Sequence, residues 1–201
     1  DITSMYPSII MSLNISPETK LGKLDSWNVE SFLKGVDKTY SIKDKNGKES
    51  AKLTTAEFKN FLKDNNVSIS TNGVLYTQDR KGLIPTLLEK WFDDRVQFRK
   101  LAKKFAEQGD KEKYAYFDRR QYIQKVVLNS LYGVLGLPIF RFYDLDNAEA
   151  TTTTGVELIK YTKKMSNHYY TTVVGDKEDY CIYIDTDSVF YSAIPIIQKK
   201  Y

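Results

Sequence analysis

The sequence has one cysteine and one histidine among 201 residues, and no run approaches eighteen consecutive apolar residues. A single cysteine, Cys181, excludes an internal disulfide and a cysteine zinc site, and it fits a reducing compartment. A single histidine, His168, excludes a multi-histidine metal cluster. The mean hydropathy of −0.46 and the short apolar runs exclude a membrane-spanning helix. The first ten residues lack the basic head and the apolar body of a signal peptide. Any chemistry must therefore come from carboxylates, cations, hydroxyl groups and the backbone.

The net charge of +4 is too small to indicate a partner, but the charges are unevenly distributed. Residues 95–125 contain ten basic and four acidic residues, so the remainder of the chain is slightly acidic. A cationic segment beside an acidic body suggests an anionic ligand that meets a site with carboxylates. A solvated helix surface would produce the same pattern. Because the chain begins with Asp1 and not with methionine, we expect it to be a piece of a longer protein.

The pattern of apolar and turn residues predicts an α+β architecture. Helical spacing is present over residues 7–13, 83–107, 111–131 and 151–168, and Thr54 to Glu57 forms a capping box before another helix. Asn72-Gly73 predicts a β-hairpin, and residues 139–144 have the composition of a strand. The C-terminal part is typical of a strand, a tight acidic turn and a second strand. We therefore predict a small sheet that bears acids and a projecting, basic, antiparallel helical hairpin, with residues 21–82 as a scaffold without visible chemistry.

Two acids stand at the tip of the C-terminal strand pair, in Asp185-Thr186-Asp187. Residues two apart in extended chain face the same way, so we expect both carboxylates to project together. Like charges held together favour a bound cation, and oxygen ligands without histidine or cysteine favour Mg²⁺. An ordinary turn with exposed acids is the alternative interpretation.

The N-terminal segment DITSMYPSII places an acid before a turn of small residues and a helix. Free N–H groups in such a turn and at the helix N-terminus favour phosphate oxygens. A plain strand-to-helix connection remains possible at this point.

Cations and polar residues share faces of the two long predicted helices. Lys125, Asn129 and Tyr132 lie on one face of the second helix, and Gly133 would allow close approach near its end. Arg95 and Arg99 lie one turn apart on the first helix. Arg95 and Lys125 are about equally far from the break near residue 109, roughly 21 and 24 Å, so the two cationic faces lie level. Three cations there would bind an anion such as a triphosphate, unless they form a solvated surface.

The three segments DITSMYPSII, KVVLNSLYG and YIDTDS, in this order, resemble the polymerase motifs of family B DNA-dependent DNA polymerases. In detail the sequence is most similar to the replicative enzymes of large tailed bacteriophages. The resemblance implies a palm-type antiparallel sheet with helices, together with fingers formed by the helical hairpin. It divides the chain into a first palm part with a polar insertion (1–82), the fingers (83–133) and a second palm part with the acidic hairpin (134–201).

This resemblance also implies the metal site and the reaction. Asp1, Asp185 and Asp187 would be the catalytic carboxylates, and Asp1, Asp187 and the Ile2 carbonyl would bind two Mg²⁺ ions, with Mn²⁺ as an alternative. One ion would activate the primer 3′-hydroxyl and the other would hold the triphosphate. The expected reaction is template-directed addition of dNMP from dNTP to a primer 3′ end.

The resemblance further assigns the residues that bind the incoming nucleotide: Ser4, Met5, Tyr6, Arg95, Arg99, Lys125 and Asn129. Tyr6 would select the deoxyribose sugar, and Tyr132 and Gly133 would lie beside the nascent base pair. The implied partners are primer–template DNA, dNTPs and a sliding clamp that binds through regions outside this chain, with no membrane. The implied location is the cytoplasm of an infected bacterial host.

One alternative belongs to a different class. The chain could be a non-catalytic remnant or a split subunit that binds nucleotide or DNA only. A reverse transcriptase fits less well, because its acidic turn normally has adjacent aspartates.

Overall fold

The computed structural model describes residues 2–44 and 46–200 and mixes helices with two antiparallel sheets. This agrees with the predicted α+β class. The elements, in chain order, are α1 (Met5–Leu13), β1 (Lys20–Leu24), α2 (Val29–Leu33), β2 (Thr39–Asp44), β3 (Glu49–Thr54), α3 (Thr55–Asp64), β4 (Val67–Ile69), β5 (Val74–Thr77), α4 (Leu83–Glu107), α5 (Lys111–Leu135), α6 (Leu145–Val174), β6 (Cys181–Asp185), β7 (Ser188–Tyr191) and α7 (Ile194–Lys200). Among the described residues, no helix combines the length and the apolar character needed to cross a bilayer.

The larger sheet lies within the segment that the sequence presents as a plain scaffold. Its five strands follow the order β3-β2-β1-β5-β4, and every neighbouring pair is antiparallel. The capping box of Thr54 and Glu57 starts α3, and the predicted hairpin joins β4 to β5 with Gly73 at a φ of 83°. Tyr40 and Phe58 form the centre of an aromatic cluster between α3 and this sheet.

A second core joins α1 to the long helices. Ile10, Leu88, Leu128 and Leu135 are almost completely buried in it and come from α1, α4 and α5. Asn14, just after α1, donates from its side-chain amide to the carbonyls of Thr77 and Arg80 and accepts from the Gly82 N–H. These contacts fix the start of α4 against α1.

The helices α4 and α5 pack against each other along their length. Phe105 stacks on Phe117 with ring centroids 5.5 Å apart, and the guanidinium of Arg120 lies over Phe98. The helices begin and end close to the predicted positions, with α5 four residues longer at its C-terminal end.

The predicted strand over residues 139–144 is wrong. This segment forms successive turns, in which Tyr143 N–H donates to the Phe140 carbonyl and Phe140 N–H donates to the Leu137 carbonyl. The aromatic residues Phe140 and Phe142 pack against the second core, so their hydrophobicity reflects burial and not a sheet.

Helix α6 begins six residues before its predicted start. Asp144 caps it by accepting from the Asn147 N–H, and Asp144 and Asp146 both accept from the Lys20 ammonium. Asn147 is fully buried and accepts a 2.8 Å hydrogen bond from the Tyr76 hydroxyl. The N-terminal part of α6 is thereby attached to the five-stranded sheet.

Candidate active site

The segment before α1 turns sharply and contacts the acidic turn. Ser4 stands at the N-cap position of α1 with φ 52° and ψ 46°, a left-handed conformation that is unusual for a residue other than glycine. Its hydroxyl makes no capping bond and instead accepts a 3.4 Å hydrogen bond from Arg95. The N–H groups in the first turn of α1 therefore have no side-chain acceptor at the cap.

The acidic turn joins β6 to β7 through two residues. Asp185 ends β6 and pairs with Ser188, while Thr186 has a φ of 43°. Asp185 is exposed and accepts from the Thr186 hydroxyl at 3.1 Å. Asp187 is half-buried, accepts from the Ser188 hydroxyl at 3.4 Å, and its carbonyl accepts from the Ile2 N–H at 2.7 Å.

The extended chain expected from Asp185 through Asp187 is interrupted. Extended chain ends at Asp185, and the left-handed Thr186 changes the direction of the backbone before Asp187. Asp187 comes to lie against the start of the chain, while Asp185 stays on the solvent side.

One cavity of about 520 Å³ brings parts of all three motifs together. It lies where α1, α4, α5 and the acidic turn meet, and it is lined by Thr3, Ser4, Met5, Tyr6, Pro7, Arg95, Arg99, Lys125, Asn129, Tyr132, Thr186 and Asp187.

Three of the predicted site residues that the structure describes do not line this cavity, and the predicted Asp1 lies outside the described residues. Ile2 is adjacent through its bond to Asp187. Asp185 is absent from the lining, and Gly133 lines a second cavity of about 210 Å³ that shares Tyr132 with the first. Three lining residues were not singled out from the sequence, namely Thr3, Pro7 and Thr186. Their position inside the recognised motifs was the available signal.

The cations of the cavity have no acidic partner among the described residues. Within the part of the chain that the structure describes, Arg95, Arg99 and Lys125 form no ion pair. The Nε atom of Arg95 is buried and has no hydrogen-bond partner among the described residues. Burial, and then the charge of Arg99, lower the pKa of Arg95. A buried N–H donor without an acceptor is costly, so an anion in the cavity would satisfy it.

Tyr6 lines the cavity close to Tyr132 and to Asp187. Its ring lies 4.5 Å from that of Tyr132, measured between centroids, at an angle of 34°. Burial, then the proximity of Tyr132 and of Asp187, raise the pKa of the Tyr6 hydroxyl above its usual value. Tyr6 is therefore neutral at physiological pH, and its ring adds an uncharged aromatic surface to the lining of the cavity.

The donor set suits a hard cation only in part. Among the described residues, no group of three or more His, Cys, Asp or Glu side chains could hold a metal ion. Asp187 supplies an accessible carboxylate at the cavity, which is the kind of oxygen ligand that Mg²⁺ takes together with substrate phosphates. A second carboxylate would have to come from Asp1, outside the described residues.

Comparison with known proteins decides the family. The family model described as DNA polymerase family B matches residues 1–196. The chain belongs to DNA polymerase family B. The resemblance carried by the three motifs is thereby confirmed.

Phage polymerases are among the relatives. The chain is 28% identical over 248 residues to the DNA-directed DNA polymerase of Escherichia phage RB69, covering 99% of this chain and 25% of that protein. It is also 28% identical over 250 residues to the DNA-directed DNA polymerase of Enterobacteria phage T4, with the same coverage. The chain thus spans about a quarter of the length of these relatives.

A solved structure supports the fold. The family B DNA polymerase from the hyperthermophilic archaeon Pyrobaculum calidifontis matches with a TM-score of 0.54 and 25% sequence identity. The match covers 82% of this chain and 18% of the archaeal chain. The arrangement of helices and antiparallel strands is therefore one that occurs in this family.

Proposed function

We propose that this chain forms the palm and fingers of a template-directed DNA polymerase, which adds dNMP from dNTP to a primer 3′ end. The observation that carries the proposal is the 520 Å³ cavity, in which Asp187 and the turn before α1 face Arg95, Arg99 and Lys125. Residues 1–82 and 134–201 would be the two parts of the palm, and residues 83–133 the fingers.

The cations and the turn would bind the triphosphate. Arg95 offers a buried, unpartnered N–H, and Arg99, Lys125 and Asn129 line the same wall. Ser4, Met5 and Tyr6 line the same cavity, and the first N–H groups of α1 there favour phosphate oxygens. Because the nucleotide is highly charged, positioning and charge neutralisation by these groups would account for most of the protein's contribution.

In the reaction, the primer 3′-oxygen forms a bond to the α-phosphorus of the nucleotide. The bond between the α-phosphorus and the oxygen that bridges to the β-phosphate breaks, pyrophosphate leaves, and the hydroxyl proton passes to solvent. Asp1, Asp187 and the Ile2 carbonyl would hold two Mg²⁺ ions, or Mn²⁺ in their place, and Asp185 would stand beside the primer terminus. When bound, such ions supply Lewis-acid activation and neutralise the charge of the leaving group.

Two aromatic walls would check the substrate. The Tyr6 ring would lie against the incoming sugar and leave no room for a 2′-hydroxyl. Tyr132 and Gly133, which line the adjoining cavity, would contact the nascent base pair. Base pairing with the template would then select the nucleotide, and the protein would check only the shape of the base pair.

The partners follow from this activity. Primer–template DNA and dNTPs would be the substrates, and a sliding clamp would bind through regions outside this chain. Similarity to phage polymerases favours replication of phage DNA in the cytoplasm of an infected bacterium.

The test is primer extension by the full-length protein and by its Asp187→Asn variant. We expect extension to fall by about 10³-fold, since the carboxylate that holds metal is lost, while affinity for primer–template DNA stays within about threefold. Asp37→Asn, at an exposed position between α2 and β2, is the matched control and should extend normally. Equal extension by Asp187→Asn and the natural protein would overturn the proposal. Binding of DNA without any extension by the natural protein would favour the binding-only alternative.

A further inference from the structure

Gly155 lies in the middle of α6 at the point where this helix crosses α1. It is buried, and a Cβ atom at this position would lie 3.0 Å from Met5 Cε, 3.1 Å from Tyr6 Cε1 and 3.6 Å from Ile9 Cδ1. The first two distances are shorter than ordinary van der Waals contacts. The Met5 side chain is flexible and can move aside, but the Tyr6 ring is a rigid plane.

The other neighbour of Tyr6 prevents an easy adjustment. Tyr132 packs against the ring with centroids 4.5 Å apart. The Tyr6 ring thus contacts both Gly155 of α6 and Tyr132 of α5, and it lines the cavity that also contains Asp187. We expect a shift of the ring away from α6 to press it against Tyr132 and to move it further into the cavity.

Helix α6 itself is not free to retreat. Asp146 accepts from Lys20 at 2.8 Å, and buried Asn147 accepts from Tyr76 at 2.8 Å, so the part of α6 before Gly155 is attached to the five-stranded sheet. Any crowding at Gly155 would therefore be relieved on the side of Tyr6.

The backbone does not require glycine here. Gly155 lies in the interior of a helix, outside the left-handed region, where alanine is more favourable than glycine. The feature that glycine provides at this position is the space for the Tyr6 ring.

We propose that Gly155 is a positioning residue that sets how far the Tyr6 ring projects into the nucleotide cavity, and that it thereby tunes selection between deoxyribonucleotides and ribonucleotides. The inference rests on the proposed function, in which Tyr6 lies against the sugar. Gly155 acts through Tyr6 and does not itself touch the substrate.

The experiment compares dNTP and rNTP incorporation by the full-length polymerase and by Gly155→Ala. A ring displaced by a few tenths of an ångström would raise KM for dNTP and lower kcat/KM by roughly tenfold. Incorporation of rNTP should fall further, because the gap for a 2′-hydroxyl narrows most, so the ratio of dNTP to rNTP incorporation rises. Val156→Ala, at an exposed position on the same helix and outside both cavities, is the control and should leave this ratio unchanged.

A double-mutant cycle with Tyr6→Ala separates positioning from a general loss of structure. Once the ring is removed, Gly155→Ala should have no further effect on the dNTP to rNTP ratio. Additive effects of the two substitutions, or an unchanged ratio in Gly155→Ala alone, would overturn the inference. If Gly155→Ala alone does not fold, the double variant with Tyr6→Ala should fold, because the crowded ring is gone. A double variant that does not fold would show that the added methyl group clashes with a residue other than Tyr6, and it would overturn the inference as well. Absence of incorporation by the natural protein would instead contradict the proposed function.

Discussion

The backbone N–H of Ile2 donates a 2.7 Å hydrogen bond to the carbonyl oxygen of Asp187. This bond joins the segment before α1 to the turn between β6 and β7, so the first and the last of the three motifs are held together by the backbone. The Asp187 side chain does not take part in it. A neutral side chain at this position should therefore leave the turn in place, which makes Asp187→Asn a test of charge and not of folding.

Arg95 should control affinity for the incoming nucleotide. Loss of charge-assisted hydrogen bonds in Arg95→Ala should raise KM for dNTP by about 10- to 100-fold. Arg95→Lys keeps the charge but loses the planar set of N–H donors, including the buried Nε. Its KM for dNTP should therefore lie between those of the natural protein and of Arg95→Ala. Steady-state primer extension measures these values. Arg119→Ala, an exposed cation on α5 outside this cavity, is the control, and an unchanged KM in Arg95→Ala would contradict the assignment.

The Tyr6 ring should exclude ribonucleotides by its bulk. Tyr6→Ala is expected to increase rNTP incorporation relative to dNTP by roughly 100-fold, whereas Tyr6→Phe should retain the selection. Because the pKa of Tyr6 is raised, its hydroxyl stays neutral from pH 7 to 9, so the selection should not change with pH in this range. Incorporation ratios measured at both pH values check this. Loss of selection in Tyr6→Phe would assign the effect to the hydroxyl and not to the ring.

The buried pair of Tyr76 and Asn147 should stabilise α6 on the sheet. The Asn147 Nδ2 atom already lacks a partner among the described residues, so Tyr76→Phe would leave Oδ1 without its donor as well. We expect a loss of about 1–3 kcal/mol in the stability of this region. Faster hydrogen exchange of backbone amides in residues 145–155 of the full-length protein would report it. Exchange that is unchanged there would show that the hydrogen bond contributes nothing to the attachment of α6.

The stability of the same helix should depend on pH through Asp146. Burial alone would raise the pKa of this carboxyl, but the hydrogen bonds from Lys20 and Lys23 outweigh it and place the pKa below its usual value. A depressed pKa in the folded state contributes stability above the unfolded value of about 4, and this contribution disappears as the pH falls through the folded pKa.

Asp146→Asn should accordingly destabilise the start of α6 by about 1 kcal/mol at pH 7. The difference from the natural protein should vanish as the pH falls below about 4. Hydrogen exchange of residues 145–155, corrected for the intrinsic dependence of exchange on pH, compares the two proteins. A difference that persists at low pH would mean that the effect does not come from the charge of Asp146.

Local patterns in the sequence determined much of the fold. The 3.6-residue spacing predicted α4 with both ends, the capping box predicted α3, and Asn72-Gly73 predicted the β4–β5 turn. Each of these signals depends on residues that are close in sequence. The five-stranded sheet was not predicted, because its strands are short, partly polar and brought together by long-range pairing.

The errors have a common physical cause. Phe140 and Phe142 have high strand propensity, but in turns their rings still pack against the second core. Packing of this kind overrides local preference. The start of α6 at Asp144 was missed because its capping and ion pairs with Lys20 involve a strand far away in sequence.

The candidate site was predictable in its members but not in its geometry. The resemblance to family B polymerases identified nine of the twelve residues that line the cavity, seven of them in the three motifs, each of which is short and continuous. The unpaired Nε of Arg95, the left-handed Thr186 and the contact of Gly155 with Tyr6 depend on three-dimensional packing. None of these features corresponds to a periodic pattern of residues in the sequence.

The connection between α4 and α5 lies at residues 108–110, at least two helical turns beyond the cavity residues Arg95, Arg99 and Lys125. Matched insertions or deletions on both sides of this connection would lengthen or shorten the pair without moving Arg95 or Lys125. A single inserted residue between Gly82 and Arg95 would instead turn Arg95 by about 100° around the helix axis and away from the cavity. Relatives whose helix pair differs in length should therefore have their insertions and deletions close to this connection. They should have none in the helical turns that precede Arg99 or follow Lys125.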